Sequence, residues 1–286
     1  MLPYIYLFGQ PISTYMLMSC VGFFSLWIVS RLATRKDSRV DQTQVPHIAL
    51  AAMAGLFVCA HLLYGVVNIR IIINAANDHF SHVHSFFGFI TLLGMVFGGM
   101  VFYGGLFGAI IGAVLYIRAM KMPYQPYLDI MAFCIPLFHG FARIGCFLGG
   151  CCYGVECKYG FVFHNSLAPD ANGVTRFPVQ LLESGLEFAL FAVLLVLYSK
   201  RKLRGKLMYV YLLSYAVIRF CDEFLRGDAI RGFVGPVSTS QFISLLILAV
   251  VPVILIVKSL KPGKNNDSVD VEDSSSTQVL STNEED

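Results

Sequence analysis

The sequence is poor in charge. Only 14% of its 286 residues are Asp, Glu, Lys or Arg, and it holds a single Trp although aromatics reach 14%. Soluble chains run near 25% charged. With 56% hydrophobic residues and a mean hydropathy of +0.67, an ordinary soluble domain is excluded, and so is a disordered chain. Gly (25) and Pro (11) are too few for low complexity. No basic stretch precedes the first apolar run, so the first thirty residues do not read as a cleavable signal peptide. No P-loop or dinucleotide fingerprint appears, so no cofactor and no nucleic-acid partner are expected. Eight cysteines are too few for a disulfide-built scaffold, and paired CxxC spacing is missing.

What is present is apolar sequence in long blocks. Seven spans are read, roughly 12–30, 47–69, 86–117, 127–145, 178–199, 207–225 and 236–257. Crossing the hydrocarbon core takes about 20 helical residues, and backbone groups in lipid must pair internally. The expected fold is therefore an all-α polytopic membrane protein of about seven transmembrane helices. Alternate loops are basic: Arg31, Arg35, Lys36 and Arg39; Arg118 and Lys121; Lys200, Arg201, Lys202, Arg204 and Lys206; Lys258, Lys261 and Lys264. The positive-inside rule then places the N-terminus outside and the C-terminus in the cytoplasm. Residues 1–260 form the membrane domain. Residues 261–286 carry seven acids against two lysines and are expected to be a disordered, acidic cytoplasmic tail.

Charges inside a bilayer cost about 2.5–3.5 kcal/mol each on insertion scales, which makes them the best functional signal here. Arg143 ends span four. Glu183 and Glu187 lie one turn apart on span five, and Arg219, Asp222 and Glu223 lie near the end of span six, with Arg226 and Asp228 beyond. By the topology above all fall on the outer half. Arginine binds phosphate oxygens bidentately, so an outer-leaflet phospholipid headgroup site follows; helix-face pairing of Arg219 with Glu223 is the plain structural alternative. In span three, Gly104, Gly108 and Gly112 recur every four residues. This spacing suits either close helix packing or a helix broken over a polar cavity. Cys146, Cys151, Cys152 and Cys157 crowd into twelve residues; disulfides, free thiols and a zinc site are all open readings. His79, His82 and His84 read as solvated loop histidines.

Four stretches, in order, resemble the prolipoprotein diacylglyceryl transferase family. Gly99-Met100-Val101-Phe102-Tyr103-Gly104-Gly105-Leu106 is similar to its glycine-rich stretch. Arg143-Ile144-Gly145-Cys146-Phe147 through Gly150 to Gly154 resembles its Arg-x-Gly-Asn-Phe and Glu-x-x-Gly signature. Phe177-Pro178-Val179-Gln180-Leu181-Leu182-Glu183 resembles its His-Pro-x-Gln-Leu-Tyr-Glu, and Arg219 to Arg226 its Arg-x-x-x-Glu-Phe-x-Arg. The departures are Tyr103 where the family often has His, Cys146 for its Asn and Cys151 for its Glu.

The resemblance implies a bacterial inner-membrane, multi-pass transferase. Phosphatidylglycerol is the donor, and the acceptor is the lipobox cysteine thiol of a prolipoprotein signal peptide. The thiol attacks the glyceryl carbon and glycerol-1-phosphate leaves. Arg143 and Arg219 stabilise the phosphate, while Tyr103 and Glu223 are the candidate bases. Arg143, Gly154, Glu183 and Arg226 bind substrate, and no metal takes part. The cysteines are then structural, because the reacting thiol belongs to the substrate. A paralogue with another acceptor and a seven-helix transporter are the alternatives. Two lipid-confined substrates call for a side opening between helices. Segment 146–177 is expected to cap a cavity lined by Arg143, Glu183, Arg219 and Glu223, with Tyr103 nearby.

Overall fold

The computed structural model describes residues 1–69, 94, 101–228 and 232–260. Seven α-helices lie among them: α1 Thr14–Thr34, α2 Gln44–Val67, α3 Phe102–Ala119, α4 Tyr124–Gly149, α5 Val179–Ser199, α6 Leu207–Asp222 and α7 Thr239–Leu260. Each falls within or overlaps one predicted span. Five of them (α1, α2, α4, α5 and α7) are long and apolar enough to cross a membrane, as expected of a polytopic membrane protein. The acidic tail, the three loop histidines and most of the first half of span three lie outside the described residues.

Span three is not one helix over 86–117. Val101 is extended (φ −104°, ψ 123°) and α3 starts only at Phe102. The Val101 N–H bonds the Ala60 carbonyl of α2 at 3.2 Å instead of a turn of its own helix. From there the glycine repeat sets the packing. A methyl on Gly104, Gly108 or Gly112 would strike the backbone oxygens of Cys59, Gly55 and Ala51 respectively. The packing reading of the glycine run holds: α3 is continuous through all three glycines and is pressed backbone to backbone against α2.

Helix α4 is the central post. In its most apolar stretch 61% of residues are buried, against 11% for α2 and α7. It ends at Gly150, whose left-handed backbone (φ 75°) closes the helix. The apolar core occupies one half of the bundle, where Ile130 and Phe133 of α4 meet Leu194 of α5, Leu207 of α6 and Val45 and Ile48 of α2. The loops at that end are tied together. Asp37 accepts hydrogen bonds from Arg39 Nη2 (2.7 Å) and Tyr198 Oη (2.8 Å). Asp129 accepts the backbone N–H groups of Gly205 and Leu207. The basic loops after α1, α3 and α5 therefore share one end.

The other end carries β structure that the all-helical expectation omits. Three short antiparallel hairpins occur: β1 Tyr4–Leu7 with β2 Gln10–Ser13, β3 Glu156–Val162 with β4 Thr175–Arg176, and β5 Phe233–Val234 with β6 Val237–Ser238. The connection between α4 and α5 has a small core of its own, Tyr153, Phe163 and Ala171. Arg176 stacks over Tyr153 at 4.3 Å and donates to the Asp170 carbonyl at 2.7 Å.

Candidate active site

Two helices face each other with matched charge. On α4, His139 and Arg143 are one turn apart; on α5, Glu183 and Glu187 are one turn apart. Spacing of i, i+4 puts each pair on one helix face. Arg143 Nη2 pairs with Glu183 Oε2. His139 Nδ1 lies 3.0 Å from Glu187 Oε1, and its Nε2 lies 3.7 Å from Glu183 Oε1. Ser184 Oγ donates to the Gly140 carbonyl at 2.9 Å and fixes the register between the two helices.

A third helix adds the second arginine. Arg219 Nη1 of α6 lies 3.9 Å from the same Glu183 Oε2. Its Nη2 donates to Glu223 Oε2 (2.8 Å) and to Ser240 Oγ on the first turn of α7 (3.0 Å). Glu183 thus sits between two arginines from different helices, itself 1% exposed. Breaking one partner of a buried ion pair costs about 3–5 kcal/mol, because the survivor keeps an uncompensated charge. The arginines are not fully satisfied: Arg143 Nε and Arg219 Nη1 make no hydrogen bond, which leaves each guanidinium a donor to offer an anion.

Arg143, Glu183, Arg219, Arg226 and His139 line a cavity of about 880 Å³. It lies beyond the apolar core, at the end of the bundle that carries the hairpins. The α4–α5 connection contributes Cys151, Cys152, Tyr153 and Leu167 to Asp170 to its wall, and Val101 places the start of α3 there too. Arg226 is held by Asp228, with Nε to Oδ1 at 2.8 Å. Gly154 forms an isolated antiparallel bridge with Arg226. A methyl at Gly154 would strike the Phe177 carbonyl, so its place is to let three backbones meet behind the cavity. Glu223 is not part of the cavity wall; it is buried behind Arg219. Tyr103 is on the first turn of α3, and its side chain lies outside the described residues.

All eight cysteines are free thiols. The Sγ atoms of Cys146, Cys151 and Cys152 lie within 4.8 Å of one another. Cys157 is engaged elsewhere, with its thiol donating to the Tyr159 carbonyl at 2.9 Å.

The family model described as prolipoprotein diacylglyceryl transferase matches residues 3–257. This chain belongs to the prolipoprotein diacylglyceryl transferase family. Among the relatives is the phosphatidylglycerol–prolipoprotein diacylglyceryl transferase 2 of Clostridium perfringens, 43% identical over 52% of this chain, an alignment that spans 59% of that protein. The corresponding transferases of Clostridium tetani (32% identical, 85% of this chain and 92% of that protein) and Geobacter sulfurreducens (30%, 80% and 84%) align over most of their length. Membership in a prolipoprotein diacylglyceryl transferase family sets the transporter alternative aside.

His139 with its partner Glu187, and Ser240, were given no role in the expected site, although Glu187 and Asp228 stood among the conspicuous charges. The signal for the first pair was present: His139 stands four residues before Arg143, as Glu183 stands four before Glu187. Ser240 carries no comparable mark, since a serine on the first turn of a helix reads as an ordinary cap.

Proposed function

We propose that this chain transfers the diacylglyceryl group of phosphatidylglycerol to the lipobox cysteine of a prolipoprotein. In this reaction a C–S bond forms at the glyceryl carbon, the C–O bond to phosphate breaks, and glycerol-1-phosphate leaves. The observation that carries this reading is the convergence of Arg143 and Arg219, from two helices, on one carboxylate at a cavity wall. A fixed pair of guanidiniums stabilises the charge that grows on the leaving phosphate, and such preorganised groups act most strongly in a water-poor site. Arg226 adds a third donor on the cap side.

The thiol must lose its proton as it attacks. We assign the proton to His139, an imidazole on the cavity wall that Glu187 orients through Nδ1; positioned general bases contribute about 10²–10⁴-fold. Glu223 serves as a positioning group for Arg219. Tyr103 stays a candidate through its place at the head of α3. The proposed setting is the bacterial inner membrane, crossed seven times. The N-terminus and the cavity face outward, the basic end faces the cytoplasm, and 261–286 extend from it as an acidic tail. The gathering of the basic loops at one end supports this orientation.

The test is an assay of the detergent-purified chain with labelled phosphatidylglycerol and a synthetic lipobox peptide. The expected products are thioether-linked diacylglyceryl peptide and glycerol-1-phosphate. If neither forms, and the gene does not rescue a strain depleted of its own transferase, the acceptor or the reaction is a different one.

A further inference from the structure

Three of the four clustered cysteines do something that the transfer chemistry above leaves unexplained. Their sulfur atoms meet in one place on the cavity wall. The meeting is built by the backbone. Gly150 and Cys152 both adopt left-handed conformations (φ 75° and 54°), a strained choice for cysteine. The turn they make folds residues 151 and 152 back over the last turn of α4, where Cys146 waits, with the Cys151 N–H on the Cys146 carbonyl at 3.1 Å. Gln180, fully buried on α5, holds the turn by donating to the Cys151 carbonyl at 2.8 Å. Cys146 and Cys151 stand where the family signature has Asn and Glu. The two departures from that signature are therefore the residues that assemble the thiol trio with Cys152.

We propose that Cys146, Cys151 and Cys152 bind a thiophilic divalent cation, zinc by its chemistry, with an open fourth position facing the cavity. Three thiolates at zinc–sulfur distances of about 2.3 Å would stand roughly 3.8 Å apart, a contraction of up to about 1 Å from the spacing present. A disulfide uses two sulfurs and leaves the third over, whereas three convergent sulfurs are a tripod. Charge also fits. Zinc with three thiolates carries one net negative charge, and Arg143 Nη1 lies 3.9 Å from Cys146 Sγ, with Arg226 on the same cavity wall.

The open position deepens the transfer reading and rests on it. The acceptor there is a thiol that must react as thiolate. Coordinated to the cation, it gives up its proton to the cavity base, and its sulfur then attacks the glyceryl carbon as the C–O bond to phosphate breaks. This departs from the expectation that no metal takes part and that the cluster is purely structural.

The experiment is metal analysis of the full-length chain, purified in detergent without chelator, alongside the transfer assay. Near-stoichiometric zinc is expected, falling at least tenfold in Cys146→Ser and Cys151→Ser and unchanged in Cys157→Ser. Because loss of fold in the first two variants would also lower the zinc, the unaltered chain is exchanged with Co²⁺ as well. The visible bands of a tetrahedral thiolate complex are expected, shifting when a lipobox peptide thiol is added. A metal-free chain that still transfers the lipid overturns this inference alone, as does an intact mass showing a disulfide within the trio. A zinc-loaded chain that transfers nothing overturns the functional reading and keeps the metal site.

Discussion

Single residues decide how the cavity handles charge. Arg143→Lys and Arg219→Lys keep the charge but lose the planar fork that grips two phosphate oxygens, so each is expected to lose most activity, about tenfold or more in kcat/KM. Wild-type rates in both would sink the phosphate assignment. Glu183→Gln is expected to be worse, because it strips Arg143 and Arg219 of their shared partner; a fall in thermal unfolding temperature should accompany the lost activity. His139→Gln should cost about 10²-fold or more in kcat, while Tyr103→Phe should cost little if the proton goes to the imidazole. The reverse ranking moves the base to Tyr103. The arginines were legible from sequence because a charge in an apolar span is expensive and so conspicuous. His139 was marked only by standing one turn before Arg143, and its role shows once its two carboxylate neighbours on α5 are seen across from it.

At the scale of elements, the helices could be read from length and hydropathy because lipid leaves the backbone no other way to pair. The limits of that reading are physical too. Val101 leaves the helix because the Ala60 carbonyl takes its N–H, a tertiary contact that no local pattern encodes. That segment 146–177 contributes to the cavity wall was expected, but its β3–β4 pairing was not, because its strands are short and hold together through Arg176, Tyr153 and Phe163, residues far apart in any periodicity. The cluster of cysteines was legible, but not which three meet, for a similar reason: spacing gives no hint that Cys152 takes a left-handed backbone. The glycine seam between α2 and α3 supports a direct test. Gly108→Ala places a methyl against the Gly55 carbonyl, where the contacting atom is backbone and cannot turn aside. Overpacking of this kind costs about 1–3 kcal/mol, so the purified variant should unfold several degrees lower; Gly185→Ala, which meets nothing within 4 Å, is the control. An unchanged unfolding temperature in Gly108→Ala would mean the seam is looser than described.

For the molecule as a whole, the two ends differ in kind. The basic end is filled by apolar side chains and latched across its loops by Asp37, whose carboxyl the Arg39 hydrogen bond holds well below the usual carboxylate range. A depressed acid stabilises the fold above its unfolded pKa, about 3.9, and that contribution fades as pH falls below it toward the folded value. Asp37→Asn should therefore lower the unfolding temperature at neutral pH, and the gap from wild type should close as the pH drops below about 4. A gap that stays constant with pH would deny the latch. The same end also roots the α2–α3 pair: among the described residues, its members in the apolar core are Val45, Ile48, Ala49 and Ile117, all near the basic loops. Two helices welded by glycines along their length and fixed at one end make a lever. Its arm is about 30 Å, some twenty residues at 1.5 Å each. A swing of about 6° at the root carries the far tips, beside the cavity, through roughly 3 Å. The seam forbids either helix to slide, so a tilt at the basic end would move the pair as one body and shift the start of α3 at the cavity wall, costing no backbone hydrogen bond within the pair.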